Sequence, residues 1–281
     1  MNRIIFRKQF IEEVAAINLQ KSVVVKLGGS IVTVKEKPYT PNRRAVTRLV
    51  EEIKRADVKP LIIIHGGGSF GHPFAKEYNI AGGYNNSGQL IGFSKTHQAM
   101  VALNRLIVSA LIQRDIPAIA VQSSAFIVTK RGRILDFNDD LIQRMLDMGL
   151  TPVLYGDAVL DMEQGFSILS GDQLVATLAI SFEARRIIIC VDVDGLYTDD
   201  PKLNPDAKLI REISLDELKA FAGKIRKSIV TDVTGGMYGK IAELIPAVEK
   251  GIGVKIINGK RANRLYKALM NQNVKGTEIR P

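Results

Sequence analysis

Six short runs of β-branched and other apolar residues punctuate the chain, at Val23 to Lys26, Leu61 to His65, Ala118 to Val121, Pro152 to Tyr155, Ile187 to Val191 and Val254 to Ile257. Runs of this length without polar alternation read as strands buried on both faces, as in a parallel sheet. Between them lie longer segments whose apolar positions recur with helical spacing: Asn42 to Ala56, Gln89 to Gln113, Asn138 to Met148, Gly171 to Phe182 and Gly236 to Lys250. This alternation predicts an α/β fold, a three-layer αβα sandwich around a largely parallel central sheet. Two segments depart from it. Phe126 to Asp136 reads as strand, turn at Lys130-Arg131-Gly132, strand, and Val159 to Ile168 reads as a second hairpin, so antiparallel pieces are expected at the sheet edge. Tyr197 to Asp206, rich in proline and aspartate, reads as a loop.

Ahead of the first strand, Phe6, Phe10, Ile11, Val14 and Ile17 share one helical face, so residues 1–20 are expected to form an amphipathic helical extension. The 281 residues are 46% hydrophobic and 24% charged, which supports a sizeable core and excludes a disordered tail or a disulfide-stapled miniprotein. The single cysteine, Cys190, lies inside an apolar run and reads as a buried structural thiol in a reducing, cytoplasmic setting. No apolar stretch approaches the roughly 20 residues of a membrane helix. Arg3, Arg7 and Lys8 are not followed by a signal-peptide core, so neither membrane insertion nor export is expected. Thirty-nine Lys and Arg against 29 Asp and Glu leave a net charge of +10, which favours anionic partners. Nucleic acid fits poorly, because the chain has no Trp, only 6% aromatic residues and no arginine-rich arm.

Small phosphorylated ligands fit better. Lys26-Leu27-Gly28-Gly29-Ser30 follows the first strand directly, where glycines can turn tightly and aim backbone N–H groups and a lysine at one anion. Alone, this would read more readily as an ordinary strand-end turn with a surface lysine. His65-Gly66-Gly67-Gly68-Ser69-Phe70-Gly71-His72 ends the second strand in the same way, and in a parallel sheet both loops emerge at the carboxyl edge. Gly66, Gly68 and Gly71 match the dinucleotide G-x-G-x-x-G spacing, but no acid-tipped strand follows about 20 residues on, which disfavours a dehydrogenase. Gly235 to Lys240 has the wrong spacing for a Walker loop, with Ile241 where Ser or Thr is required.

Taken together and in order, five motifs spread over residues 22–281 resemble the amino acid kinase superfamily. They are Lys-Leu-Gly-Gly-Ser at 26–30, the triple glycine at 66–68, Ser170-Gly171-Asp172, Asp192-Val193-Asp194-Gly195-Leu196-Tyr197 with Asp200-Pro201, and Gly235-Gly236 with Lys240. Within that superfamily, the His65 to His72 loop, Lys35 nine residues after Lys26, and the Gly165 to Asp172 segment are similar to the isopentenyl phosphate kinase family. The resemblance implies ATP-dependent phosphorylation of isopentenyl phosphate to isopentenyl diphosphate in an alternative mevalonate route to isoprenoids, with Mg²⁺ as cofactor, in a homodimer. It also implies one domain over residues 21–281, with an acceptor-binding lobe at about 21–165 and a nucleotide-binding lobe at 166–281. Fosfomycin-type phosphonate kinases, UMP kinases and a non-catalytic basic binding protein remain alternatives.

On that resemblance, Lys26 is expected at the transferring phosphoryl group, Lys35 at the transition state, Lys240 at the β and γ phosphates, and Asp172 between Lys26 and Lys240 as their orienter. Nucleotide contacts are expected from Lys26, Leu27, Gly28, Gly29, Ser30, Gly68, Asp192, Asp194, Gly195, Tyr197, Gly236 and Lys240. Acceptor-phosphate contacts are expected from Gly67, His72 and Gly156. Bland readings stand beside these. Lys37 shares the Lys35 loop, His72 precedes Pro73 where a local cap would do, and Asp192 and Asp194 are acids of a strand-end turn. The Asp192 to Gly195 stretch fails the calcium-loop spacing, and no dedicated metal ligands are expected. Tyr78, Ile80, Phe93, Met100 and Ile168 mark only a region for the acceptor's hydrocarbon tail, with core packing the alternative for each.

Overall fold

The first strand, β1 (Val23–Leu27), is buried at all five positions, so it has no solvent face to be polar on. A computed structural model describes residues 21–199, 201, 203–228 and 235–281. The helical extension expected over residues 1–20, and parts of the Tyr197 to Asp206 loop, lie outside the described residues. After β1 come α1 (Gly29–Val32), α2 (Arg43–Ala56), β2 (Leu61–His65), α3 (Gly68–Glu77), α4 (Gly88–Ile112), β3 (Ala118–Ala120), β4 (Ile127–Lys130), β5 (Arg133–Phe137), α5 (Asp140–Asp147), β6 (Thr151–Tyr155), β7 (Asp157–Asp161) and β8 (Gly165–Leu169). The chain continues through α6 (Gly171–Ser181), β9 (Arg186–Val191), β10 (Leu196–Tyr197), β11 (Leu209–Ile210), β12 (Glu212–Ser214), α7 (Leu215–Ser228), α8 (Gly235–Glu249), β13 (Gly253–Asn258), α9 (Arg264–Leu269) and β14 (Gly276–Arg280).

Among the described residues the main sheet has eight strands in the order β12-β14-β13-β9-β1-β2-β6-β3. The six apolar runs of the sequence are its six parallel strands, from β13 to β3; β14 pairs antiparallel with β13 and carries β12 beside it. Successive β1 side chains feed opposite cores. Val24 joins one cluster with Leu174 and Leu178 of α6 and Ile241 and Leu244 of α8. Val23 and Val25 join another with Leu49 of α2, Leu103 of α4 and Leu265 of α9. Two apolar layers on one sheet make the three-layer sandwich that the pattern predicts.

The hairpins form as expected, but not at the main sheet's edge. β4–β5 and β7–β8 are each antiparallel, and β4 pairs with β7 to build a separate four-stranded sheet, β5-β4-β7-β8. Asp161 ties the two hairpins together from a buried position. Its carboxylate accepts from the Arg131, Gly132, Glu163 and Gln164 amides at 2.8–3.1 Å and from the Thr129 hydroxyl at 2.8 Å. Burial would raise this acid's pKa, but the converging donors pull it far below the usual carboxylate range. Asp161→Ala strands several of these donors at once and is expected to destabilise the fold by about 3 kcal/mol in urea melts. A loss below about 1 kcal/mol would show that water replaces the carboxylate without penalty.

Candidate active site

Between β1 and β9, which are parallel neighbours, the order in which the crossovers add strands reverses. The crossover from β1 to β2 passes through α2 on one face, and that from β9 to β13 passes through α8 on the other, so the strands' carboxyl ends open a crevice between β1 and β9. The glycine loops sit on this rim and fasten the strand ends to one another. The Gly28 amide donates to Cys190 O at 3.0 Å, the Gly66 amide to Leu27 O at 3.1 Å, and the Gly156 amide to His65 O at 3.3 Å. The expectation that successive loop amides all aim at one anion therefore needs correction, because Gly28 and Gly66 spend theirs on neighbouring strands. Gly29 and Ser30, which begin α1, and Gly68, which begins α3, stand in first turns where the helix itself supplies no carbonyl. The two loops also interlock. A Cβ on Gly29 would collide with the Gly68 backbone, and one on Gly28 would lie 2.5 Å from Cys190 O. Gly68 has φ +50°, a left-handed conformation glycine adopts without strain.

Behind this seam, Lys26 and Asp172 form a buried ion pair, and Lys240 Nζ donates to the other Asp172 oxygen at 3.0 Å. The three come from the end of β1, the first turn of α6 and the second turn of α8. Ser170 caps α6 by accepting from the Asp172 amide at 3.1 Å. Lys26 is only 4% exposed, and burial pulls its pKa down to about 8 even though Asp172 works to raise it. Burial pushes the Asp172 carboxyl the other way, but Lys26 and Lys240 outweigh it and hold the acid below its usual range. His72, in the second turn of α3, is lowered first by burial and then by the charges of Lys240 and Lys26. Its imidazole therefore shares one electrostatic environment with both lysines.

A cleft of about 840 Å³ collects most of the residues singled out from the sequence. Lys26, Gly28, Gly29, Ser30, Lys35, Gly67, Gly68, His72, Gly156, Asp172, Asp192, Gly195, Tyr197 and Lys240 all line it. Lys35 lies on the lining and its rival Lys37 does not. Gly236 stands at the start of α8. Two expected contacts fall outside the cleft. Leu27 is a core side chain. Asp194 is drawn away by Arg264 and Lys275, each at 2.7 Å, and by Asn258 at 3.0 Å. Burial opposes ionisation of Asp194, but these donors hold its pKa at about 2, so it serves as a strut between the end of β9 and the β13–α9 region.

A profile of the Amino acid kinase family matches residues 21–258. Over 266 residues the chain is 42% identical to the isopentenyl phosphate kinase of Methanothermobacter thermautotrophicus, covering 92% of this chain and 98% of the relative. The chain belongs to the amino acid kinase family. Among solved structures, this amino acid kinase is similar to one described as "X-ray structures of isopentenyl phosphate kinase", with 38% identity, TM-score 0.81, and coverage of 92% of this chain and 99% of the other. It is also similar to an isopentenyl phosphate kinase substrate complex, with 30% identity, TM-score 0.77, and coverage of 93% and 100%.

Other lining residues of this amino acid kinase carry no assignment from sequence. Thr33 accepts from the Ser69 amide at 3.0 Å and donates to Gly29 O at 2.7 Å, so one hydroxyl joins both glycine loops. Asp157, beside Gly156, is paired with His97 Nδ1 at 2.8 Å. Burial raises this acid's pKa against the opposing pull of His97. The adjacency of Asp157 to Gly156 was the signal available for it. Of the tail region, Met100 and Ile168 line the cleft, whereas Ile80 packs in a small core with Ala158 and Phe166, against which Tyr78 and Phe93 lean. His65 is a buried core group stacked on Tyr155 at 5.3 Å; burial depresses its pKa to about 4, which keeps it neutral.

Proposed function

We propose that this amino acid kinase transfers the γ-phosphoryl group of ATP to isopentenyl phosphate, giving isopentenyl diphosphate and ADP. The observation that carries the reading is the convergence of Lys26, Lys240 and His72 on one cleft. Its context is a chain that matches an isopentenyl phosphate kinase over nearly the whole length of both. An acceptor phosphate oxygen attacks the γ-phosphorus, the bond to the bridging oxygen of ADP breaks, and negative charge spreads over the transferring oxygens. Catalysis of such a step is mostly alignment and charge stabilisation. Lys26 and Lys240 take the nucleotide side, Lys35 takes the transition state, and Gly67, His72 and Gly156 hold the acceptor's own phosphate.

Asp172 is an orienter and not a base. Each of its oxygens is engaged by a lysine, and a carboxyl held below its usual range is a poor proton acceptor. No base is needed, because a phosphate monoester is largely ionised near neutral pH. Among the described residues no group of three or more His, Cys, Asp or Glu is arranged to hold a metal. With both Asp172 oxygens occupied, the cleft fits a Mg²⁺ ion ligated by nucleotide phosphates and water, which would supply further charge neutralisation. On this reading residues 21–165 form the acceptor lobe and 166–281 the nucleotide lobe of one domain. Cytoplasmic location and a homodimer complete the proposal; among the described residues no helix is long and apolar enough to cross a membrane.

The test is an ADP-release assay with isopentenyl phosphate, UMP, glutamate, N-acetylglutamate and fosfomycin as competing acceptors. Isopentenyl phosphate is expected to give the highest kcat/KM. Turnover confined to any of the other four would overturn the assignment.

A further inference from the structure

Lys35 stands on an exposed loop, residues 34–40, whose internal ties run from the Val34 amide to Thr40 O at 2.9 Å and from the Lys37 amide to Val34 O at 3.2 Å. These shape the loop but do not orient it toward the cleft. A lysine is a point charge on a flexible stem, and to act as a preorganised donor it needs its backbone held.

Beside a long hydrogen bond from the Ser69 hydroxyl to Thr40 O at 3.5 Å, Tyr39 provides the hold. Its amide donates to Ser69 O at 3.0 Å, and Pro73, which has no N–H, leaves that same carbonyl without its usual partner four residues on. Its ring packs on Phe70 with centroids 5.3 Å apart and edge-on to Phe74 at 5.2 Å. Both phenylalanines belong to α3, two residues either side of His72. Two ring contacts of one side chain therefore join the loop that bears Lys35 to the helix that bears His72. The Tyr39 backbone has φ +53°, a conformation that glycine takes freely and tyrosine only at a cost. The turn alone would be better served by glycine, so the ring contacts offset that strain.

We propose that Tyr39 is a positioning residue, whose ring clamps the loop onto α3 and sets Lys35 at its working distance from the acceptor phosphate held by His72. The inference rests on the reading of Lys35 as a transition-state donor.

The test compares kcat and KM of Tyr39→Gly, Tyr39→Phe, Lys35→Ala and the double variant Tyr39→Gly/Lys35→Ala, measured over ranges of ATP and isopentenyl phosphate concentration. Glycine suits the turn, and Tyr39→Asn, which also tolerates positive φ, serves as a second ringless variant if Tyr39→Gly folds poorly. Lys35→Ala is expected to lower kcat roughly 100-fold. Tyr39→Gly is expected to lower kcat about 10-fold with both KM values within about 2-fold of wild type. Tyr39→Phe should restore kcat, and Tyr39→Gly should cost nothing more once Lys35 is gone. An equal loss in both backgrounds, a loss confined to KM, or wild-type kcat in both ringless variants would overturn the role of Tyr39 and leave Lys35 standing. Unchanged kcat in Lys35→Ala would overturn both.

Discussion

Asp172→Asn is expected to cut turnover roughly 1,000-fold while preserving side-chain volume. The wild-type acid faces two lysines at once, and one of them, Lys26, is 4% exposed. Burial already draws Lys26 down to about 8 against the support of Asp172. With a neutral amide in place, that support vanishes and burial acts unopposed, so Lys26 sheds its proton nearer neutrality. An uncharged amine cannot stabilise a transferring phosphoryl group. The pH profile carries the sign of the effect. In the wild type, kcat/KM for ATP should fall as pH rises through about 8, where free Lys26 deprotonates. In Asp172→Asn the same fall should move to lower pH. The limb in kcat should lie at higher pH than that in kcat/KM, because bound phosphates favour the charged lysine. A variant whose alkaline limb coincides with that of the wild type would remove Asp172 from its place beside Lys26.

His72→Ala is expected to lower kcat/KM for isopentenyl phosphate roughly 100-fold, the worth of one hydrogen bond to a charged partner. ADP affinity, measured by calorimetry, should stay at the wild-type value. The separation follows from position. His72 projects from α3, while Lys26, Asp172 and Lys240 come from β1, α6 and α8. Burial and the two lysines keep its imidazole below the ordinary histidine range, so near neutral pH it donates one N–H and carries no charge of its own. An incoming phosphate dianion would reverse that bias. Equal loss of ADP and acceptor binding would place His72 on the nucleotide side and refute the division of labour.

How far the sequence reaches can be followed residue by residue. The central parallel strands are legible because burial on both faces leaves mostly apolar residues, as in Val23 to Val25 of β1, whereas β3, at the sheet's edge, is only partly buried and is legible from its short apolar run alone. β14, read Gly-Thr-Glu-Ile-Arg, is half polar and pairs near the sheet's edge, so composition hides it. α3 is hidden for another reason: Gly68, Gly71 and Pro73 are poor helix formers, and its packing against α4 and the β1 loop overrides propensity. The hairpins are local and legible, but the β4–β7 pairing that joins them is a contact between distant segments. In the site, glycine-flanked Lys26, His72 and Lys240 are legible from ordered motifs, as is Asp172. Asp194 misleads because an acid in a strand-end motif looks the same whether it faces a ligand or Arg264 and Lys275. Asp157 and Tyr39 carry no such motif. Their surroundings are assembled from β7 with α4, and from the loop with α3.

The seam between Gly29 and Gly68 is main chain against main chain, with the Thr33 hydroxyl beside it. On the proposed function it would act as a gauge block between donor and acceptor, its thickness set by backbone and one short side chain. If the acceptor phosphate docks against this seam as proposed, tolerance for different acceptors would arise at the apolar side chains of the cleft, such as Met100 and Ile168. Efforts to redirect the enzyme should therefore vary those walls and leave the gauge untouched.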